Sequence, residues 1–173
     1  MKSQKTVGMT IDEFNELEDL CDLLKTTCGS ERWVTSVASH VPFESVDELL
    51  RVAEQTWKKC EQGDWLEAFK YHPEIGNIES LRNKYSQGKN LSISEQSGIQ
   101  VAGENTLKAL AKQNKAYKEK FGFIFIVFAS GKSANQMLAL LNDRIDNTLE
   151  EEMQNAMEEQ WKITKLRLKN LFA

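Results

Sequence analysis

The tetrapeptide Tyr71-His72-Pro73-Glu74 places one of the two histidines of this chain at the end of a predicted helix. Proline disfavours helical geometry in the residue before it, so we expect an extended or turn conformation at His72, with the ring free to project into a cleft. Imidazole titrates near neutral pH and often transfers protons. His72 is therefore a candidate acid or base. The alternative is that its ring only fills the end of the helix.

Arg167 lies beside the apolar face of the last predicted helix, three or four residues from Ile163, Thr164 and Leu171. An arginine in such a position is costly to bury unless it meets an anion. That anion is either an internal carboxylate or a substrate, and the spacing does not choose between them.

Glu95 has a simpler explanation. Ser92-x-x-Glu95 is the pattern of a capping box, in which the carboxylate accepts a backbone N–H at the start of a helix. On spacing alone, the cap is the favoured interpretation.

Capping boxes also precede most of the other predicted helices, each followed by apolar residues at three- and four-residue steps. They are Thr10-x-x-Glu13, Ser45-x-x-Glu48, Asp64-x-x-Glu67 and Thr148-x-x-Glu151. We expect the first helix to place Cys21 on its buried stripe and Gly63 to end the second. Repeats and Pro/Gly-rich linkers are absent from the sequence. We therefore predict an all-α helical bundle, a single domain over residues 1–173 with residues 1–9 as a flexible N-terminal extension.

The segment 123–129 departs from the helical pattern, because it is β-branched and aromatic and is bounded by Gly122 and Gly131. A single strand cannot form a sheet, so we predict a buried extended segment whose backbone groups need other partners. Alternate residues of an extended chain point the same way. The amides of Phe125 and Val127 can therefore face one ligand together.

Gly131-Lys132-Ser133 resembles the end of a P-loop, but that motif needs a glycine five residues before Gly131, where this chain has Ile126. The favoured interpretation is that Ser133 caps the next helix.

Composition narrows the function classes. With 173 residues, 40% of them hydrophobic, the chain is long enough for one domain with a core. A formal charge of -4 does not favour nucleic acid or an anionic membrane. Three cysteines without CxxC spacing predict no metal site and fit a reducing compartment, so a cytoplasmic location is expected. A small molecule or another protein is the expected partner.

Six sequence blocks follow one another along the chain: Tyr71-His72-Pro73-Glu74-Ile75-Gly76, Ser94-Glu95-Gln96-Ser97-Gly98, Asn114-x-x-Tyr117-x-x-x-Phe121-Gly122, Ile124-Phe125-Ile126-Val127 with Gly131-Lys132-Ser133-Ala134, Arg144-Ile145-x-Asn147, and Ile163-Thr164-x-Leu166-Arg167-Leu168. In this order and at these distances they resemble the signature of the 2-oxo-4-hydroxy-4-carboxy-5-ureidoimidazoline (OHCU) decarboxylases of urate catabolism. The resemblance covers about Thr10 to Phe172. Ile124 stands where many members have proline, which alters packing rather than chemistry.

The resemblance implies an all-α, cofactor-free enzyme, usually a homodimer, that forms (S)-allantoin. Loss of the carboxyl group leaves an electron pair that the unsaturated imidazoline ring can take up, so the substrate acts as its own electron sink and needs no metal or organic cofactor. By resemblance, the catalytic residues are His72, Glu95 and Arg167.

The resemblance also implies substrate contacts by Pro73, by Gln96, and by the amides of Phe125 and Val127. The contacting serine is Ser92 or Ser94, because the stretch before it varies in length.

In the preferred assignment, His72 exchanges a proton with the substrate, Glu95 orients the imidazole or the substrate, and Arg167 neutralises substrate charge. These three side chains are expected to line one pocket. Two other classes remain open: a non-enzymatic helical module that binds a ligand or a protein, and a degenerate P-loop protein.

Overall fold

The structure, a computed structural model, describes residues 8–74, 77–85 and 93–173, and for residues 93–102 it describes only the course of the backbone. Within these ranges there are nine α-helices and no β-strand. The helices are α1 (Ile11–Asn15), α2 (Leu20–Thr27), α3 (Glu31–Ala38), α4 (Val46–Lys59), α5 (Gln62–Lys70), α6 (Ile78–Tyr85), α7 (Ile93–Phe121), α8 (Ala134–Arg144) and α9 (Leu149–Leu171). The predicted all-α fold is confirmed. None of the described helices is long and apolar enough to cross a bilayer.

Four of the predicted helix starts are capped as expected. Ser45 caps α4 by accepting the N–H of Glu48 at 3.1 Å. Thr10 and Glu13 form a reciprocal capping box at α1, and Thr148 does the same with Glu151 at α9. Ser133 caps α8 by accepting the N–H of Gln136 at 3.2 Å, as expected.

Three details of the predicted helices were wrong. The first helix ends at Asn15 and a second begins at Leu20, so Cys21 is exposed rather than on a buried stripe. Gly63 does not end α4, because α4 stops at Lys59 and Gly63 lies inside α5. Asp64 does not cap this helix, because the N-cap residue is Glu61. Asp64 instead lies in the first turn, where its carboxylate accepts the N–H of Glu61 at 2.8 Å and so allows α5 to start earlier.

The chain falls into two compact units, one formed by the residues up to His72 together with Met157–Ala173, the other by Pro73–Ala156. In the first unit, two buried tryptophans form hydrogen bonds that connect α3 to α4 and α4 to α9. Trp33 Nε1 donates to the Ala53 carbonyl oxygen at 3.0 Å, and Trp57 Nε1 donates to that of Met157 at 2.9 Å. Met9, within the predicted flexible extension, donates its N–H to the Leu171 carbonyl oxygen at 2.9 Å.

The second unit has its own core of buried side chains. These are Leu81, Leu107, Leu110, Val127, Met137 and Leu141. Gly122 ends α7 with a φ of +80°, a conformation that glycine adopts without strain.

The segment 123–129 is neither helix nor strand, as predicted. Its carbonyl groups find side-chain donors instead of a sheet. Arg144 Nη1 donates to the Ile126 carbonyl oxygen at 2.8 Å, and Lys132 Nζ donates to that of Phe128 at 2.6 Å.

Candidate active site

His72 follows the end of α5, where Tyr71 is the C-cap residue, and its N–H donates to the Phe69 carbonyl oxygen at 3.3 Å. Pro73, which comes next, is exposed. The Tyr71 ring lies so close to Gly29 that a side chain at that position would collide with it. Because α5 ends at Lys70 and the chain bends at His72, the bend predicted from the His-Pro dipeptide is present. The His72 ring is half-buried.

The imidazole of His72 meets α9. Its Nε2 lies 2.5 Å from Oε1 of Gln160, which is 1% exposed. The Gln160 amide nitrogen donates in turn to Oγ1 of Thr164 at 3.1 Å, one turn further along the helix, and Thr164 is also buried. This short chain of hydrogen bonds contains no charged group.

The pKa of His72 is lowered from its ordinary value of 6.5. Burial is the largest cause, since it disfavours the charged imidazolium. The hydrogen bond with Gln160 acts in the opposite direction, and the positive charge of Arg167 lowers the pKa further. At neutral pH the ring is therefore uncharged and able to accept a proton.

Arg167 is half-buried beside the apolar face of α9, as the spacing predicts. Its Nη1 donates to the carbonyl oxygen of Thr27, the last residue of α2, at 3.4 Å. The C-terminus of a helix carries partial negative charge, so it is a favourable neighbour for a guanidinium. Among the described residues no carboxylate lies within ion-pair distance of Arg167. Its charge is thus free to meet an anion from elsewhere.

Two buried cysteines of the first unit are not suited to nucleophilic chemistry. Burial raises the pKa of the Cys28 thiol to about 12 and that of Cys60 to about 11. A thiol that stays protonated is a poor nucleophile and a poor metal ligand. In the described parts of the chain, no group of three or more His, Cys, Asp or Glu side chains is placed to hold a metal ion.

Several predicted site residues cannot be placed with His72 and Arg167. Ser92 and the side chains of Glu95 and Gln96 lie outside the described residues. The backbone of Glu95 and Gln96 belongs to the first turn of α7.

Phe125 and Val127 belong to the second unit. The Phe125 ring is half-buried, with the Arg144 guanidinium carbon 4.6 Å from its centroid, and Val127 is buried. Among the described residues, the N–H groups of Phe125 and Val127 have no acceptor. Both amides remain available as donors.

A buried charged network holds the segment that carries these amides. Glu152 is fully buried and accepts hydrogen bonds from Arg144 at 2.7 and 2.9 Å, from Asn147 at 2.9 Å, from Asn155 at 3.0 Å and from the Tyr117 hydroxyl. Burial alone would raise the pKa of Glu152, but these hydrogen bonds together bring it below its usual value.

Sequence reasoning gave no role to Gln160, Arg144 or Glu152. A signal did exist for Gln160, because it lies four residues after Ala156 and four before Thr164, on the buried face of α9. A polar side chain on an apolar face requires a hydrogen-bond partner.

A groove of about 430 Å³ in the first unit does not include His72 or Arg167 and is lined mostly by polar and charged side chains. Two of these pair within the same unit: Arg32 lies 3.2 Å from Asp64, and Arg51 lies 3.8 Å from Glu48. The groove also contains His40, whose Nδ1 lies 2.8 Å from the Ser36 carbonyl oxygen.

Comparison with known proteins shows the family of this chain. The family model described as OHCU decarboxylase matches residues 15–169. The chain belongs to the OHCU decarboxylase family. It is thus a member of a family of carboxy-lyases of urate degradation.

Relatives with names of this family or of urate degradation come from different organisms. The chain is 37% identical over 155 residues to the uric acid degradation bifunctional protein TTL of Arabidopsis thaliana, covering 88% of this chain but only 47% of that protein. It is 27% identical over 166 residues to the OHCU decarboxylase of Halalkalicoccus jeotgali, covering 94% of this chain and 92% of that one. Only about half of the plant protein is therefore represented here.

A solved structure gives the same fold. The crystal structure of an OHCU decarboxylase in the presence of (S)-allantoin superposes with a TM-score of 0.70 at 36% identity, covering 87% of this chain and 97% of that one. The all-α architecture is thus that of an OHCU decarboxylase.

Proposed function

We propose that this protein removes carbon dioxide from OHCU and delivers (S)-allantoin in urate degradation, with no metal or organic cofactor. One observation carries the proposal: a half-buried, neutral imidazole and an arginine without a carboxylate partner among the described residues occur together in a chain of this family. A proton-transfer group and an anion-binding group are the two functions that the reaction requires.

The reaction itself defines the tasks of the protein. The bond between the ring and the carboxyl carbon breaks, carbon dioxide leaves, and the electron pair passes toward the adjacent C=N bond of the ring. Removal of the proton from the hydroxyl group on the same ring carbon then gives an enolate. A proton must then reach one face of the ring to give a single hand of product. Preorganised donors near the enolate oxygen lower the barrier because they act where negative charge develops.

We assign proton exchange to His72, with Glu95 orienting the imidazole or the substrate. The lowered pKa of His72 supports this role, because a neutral imidazole can take the hydroxyl proton and later return it to carbon. The proposal for Glu95 rests on its place in the family signature.

Arg167 is proposed to neutralise substrate charge. If Arg167 bound the leaving carboxylate tightly, it would stabilise the ground state more than the transition state and slow the reaction. We therefore place its action on the carbonyl or ureido side of the substrate.

The remaining substrate contacts are assigned to the amides of Phe125 and Val127 and to Pro73, Gln96 and Ser92, with Ser94 as the alternative serine. The available N–H groups of the segment 123–129 support the amide contacts.

We further infer a homodimer in the cytoplasm, with no nucleic acid or membrane partner. The free thiols of Cys21, Cys28 and Cys60 fit a reducing compartment. Light scattering coupled to size exclusion should give twice the chain mass of 19.8 kDa. A monomer would contradict the dimer.

The test of function begins with OHCU generated enzymatically from urate, since the compound decays. Circular dichroism then follows the formation of (S)-allantoin with and without the protein. We expect accelerated, one-handed product formation. Folded protein that gives racemic allantoin at the spontaneous rate would overturn the proposal and favour a non-enzymatic helical binding module.

A further inference from the structure

Gln160 is the residue through which α9 contacts the His72 ring. It is 1% exposed, and its Oε1 lies 2.5 Å from Nε2 of His72, a short hydrogen bond. The other end of the amide is also committed, because Nε2 of Gln160 donates to Oγ1 of Thr164 at 3.1 Å. The amide is therefore held at both ends in the interior of the first unit.

The chemistry of the amide oxygen decides the protonation of the ring. An amide oxygen only accepts hydrogen bonds, so the His72 nitrogen that faces it must carry the proton. In the neutral imidazole the other nitrogen, Nδ1, then has the free lone pair.

We propose that Gln160 is a positioning residue that holds neutral His72 in its Nε2–H tautomer, so that Nδ1 is the atom that exchanges a proton with the substrate. This inference rests on the proposed function of His72. Gln160 does not touch substrate in this proposal. Its effect is exerted through the orientation and tautomer of the imidazole.

A neutral partner suits this role better than a carboxylate. A carboxylate at the same position would stabilise the imidazolium and leave no lone pair at neutral pH. Among the described residues, the charge that acts on His72 is that of Arg167, which also disfavours the imidazolium. Cys28, beside Thr164, remains a neutral thiol.

The chain provides an internal control in its other histidine. Nδ1 of His40 lies 2.8 Å from the Ser36 carbonyl oxygen, which also only accepts. His40 should therefore carry its proton on Nδ1. The two histidines are expected to show opposite tautomers.

Nitrogen-15 NMR of the imidazole rings tests the tautomers without any substrate. Spectra are recorded on the full chain at alkaline pH, and His40→Asn assigns the two signal sets. We expect Nε2–H for His72 and Nδ1–H for His40. An Nδ1–H tautomer at His72 overturns the proposal, whether or not the protein turns out to be a decarboxylase.

Two variants connect the tautomer to turnover. Gln160→Met keeps the length of the side chain but removes the acceptor, so the ring should populate both tautomers. We expect kcat to fall about 10- to 100-fold with KM little changed, less than the loss on removing the acid-base group itself. Unchanged kcat with unchanged tautomer overturns the proposal.

Gln160→Glu covers the case in which the methionine variant does not fold. It keeps the acceptor and the Nε2–H tautomer but adds a negative charge, so NMR titration should show a higher pKa for His72. The pH at which kcat reaches half its maximum should shift upward with it. A rate profile that stays in place while the pKa of His72 rises would overturn the role of Nδ1. Gln154→Met, an exposed glutamine on α9, is the matched control and should change neither quantity.

Discussion

Two buried polar clusters of this molecule differ in their chemistry. In the first unit, the hydrogen bonds run from the His72 ring through Gln160 to Thr164, and every member is neutral. Gln160 and Thr164 are buried, but the ring is only half-buried. One ring nitrogen has its partner, so the other is left for a reaction.

In the second unit, the cluster is charged and buried, and its carboxylate oxygens already have hydrogen-bond partners. Glu152 is fully buried, the Arg144 side chain is only 11% exposed, and each oxygen of the carboxylate accepts more than one hydrogen bond. Arg144 donates in addition to the Ile126 carbonyl oxygen. The Arg144 side chain thus connects the buried carboxylate to the segment 123–129.

The difference separates positions that support chemistry from those that support structure. A half-buried group with a shifted pKa and one free hydrogen-bonding atom is available for reaction. An ion pair whose polar atoms all have hydrogen-bond partners resists any change of protonation. Substitutions in the first cluster should therefore change rate more than stability. Substitutions in the second should change stability first.

The largest effect is expected for His72→Asn. Loss of a positioned acid or base costs on the order of 10²- to 10⁴-fold in rate, and asparagine retains a polar side chain that can face Gln160. Allantoin formation by circular dichroism gives the rate and the handedness, and thermal unfolding should be nearly unchanged.

His40→Asn is the matched control for this variant, because His40 lines the groove that does not include His72 or Arg167. Its turnover should equal that of wild type. One-handed allantoin at wild-type speed from His72→Asn would show that another group or a bound water delivers the proton.

The second prediction tests the buried Glu152–Arg144 cluster. Glu152→Gln keeps the shape but leaves the buried Arg144 charge without a counterion, which costs about 3–5 kcal/mol in the free energy of unfolding. Urea denaturation measures the loss. Glu150→Gln, an exposed carboxylate on the same helix, should stay within about 0.5 kcal/mol of wild type. Equal stability of the two variants would show that the network contributes nothing.

The residues of the site were predictable from sequence to different degrees. The bend at His72 was predictable from local rules, because the proline that follows disfavours helical geometry there. The position of Arg167 beside the apolar face of α9 was predictable from the helical periodicity. The partner of His72 was not predictable in this way. Gln160 lies 88 positions further along the chain, and helical spacing shows that it is buried without showing what it meets.

The same limit explains the charged cluster. The block Arg144-Ile145-x-Asn147 stands out as part of the family signature, but sequence spacing alone does not bring Tyr117 to Glu152 across 35 positions. The role of Glu95 stays a prediction, since its side chain lies outside the described residues.

The third prediction concerns the guanidinium of Arg167. Arg167→Lys should be nearly as damaging to turnover as Arg167→Ala, because an ammonium cannot copy the paired donors of a planar group. We expect a loss of about 10- to 100-fold in kcat/KM for both, equivalent to about one charged hydrogen bond. Lys165→Ala, exposed on the same helix, should leave kcat/KM unchanged. Near-normal activity of Arg167→Lys would mean that charge alone is required.

The smallest effect is the pH dependence of stability that His72 confers. Its pKa is lower in the folded protein than the ordinary 6.5, so between these two values the unfolded chain binds more protons than the folded one. The contribution of His72 to stability is therefore complete above about pH 6.5 and is lost as the pH falls through the folded pKa. Thermal unfolding of wild type and His72→Asn at pH 8 and pH 5 isolates this contribution, because the other titrating groups are common to both. Wild type should lose more stability on acidification than His72→Asn does. An equal loss in both proteins would mean that the ring is not buried as described, and that the neutral cluster of the first unit is as open to water as the protein surface.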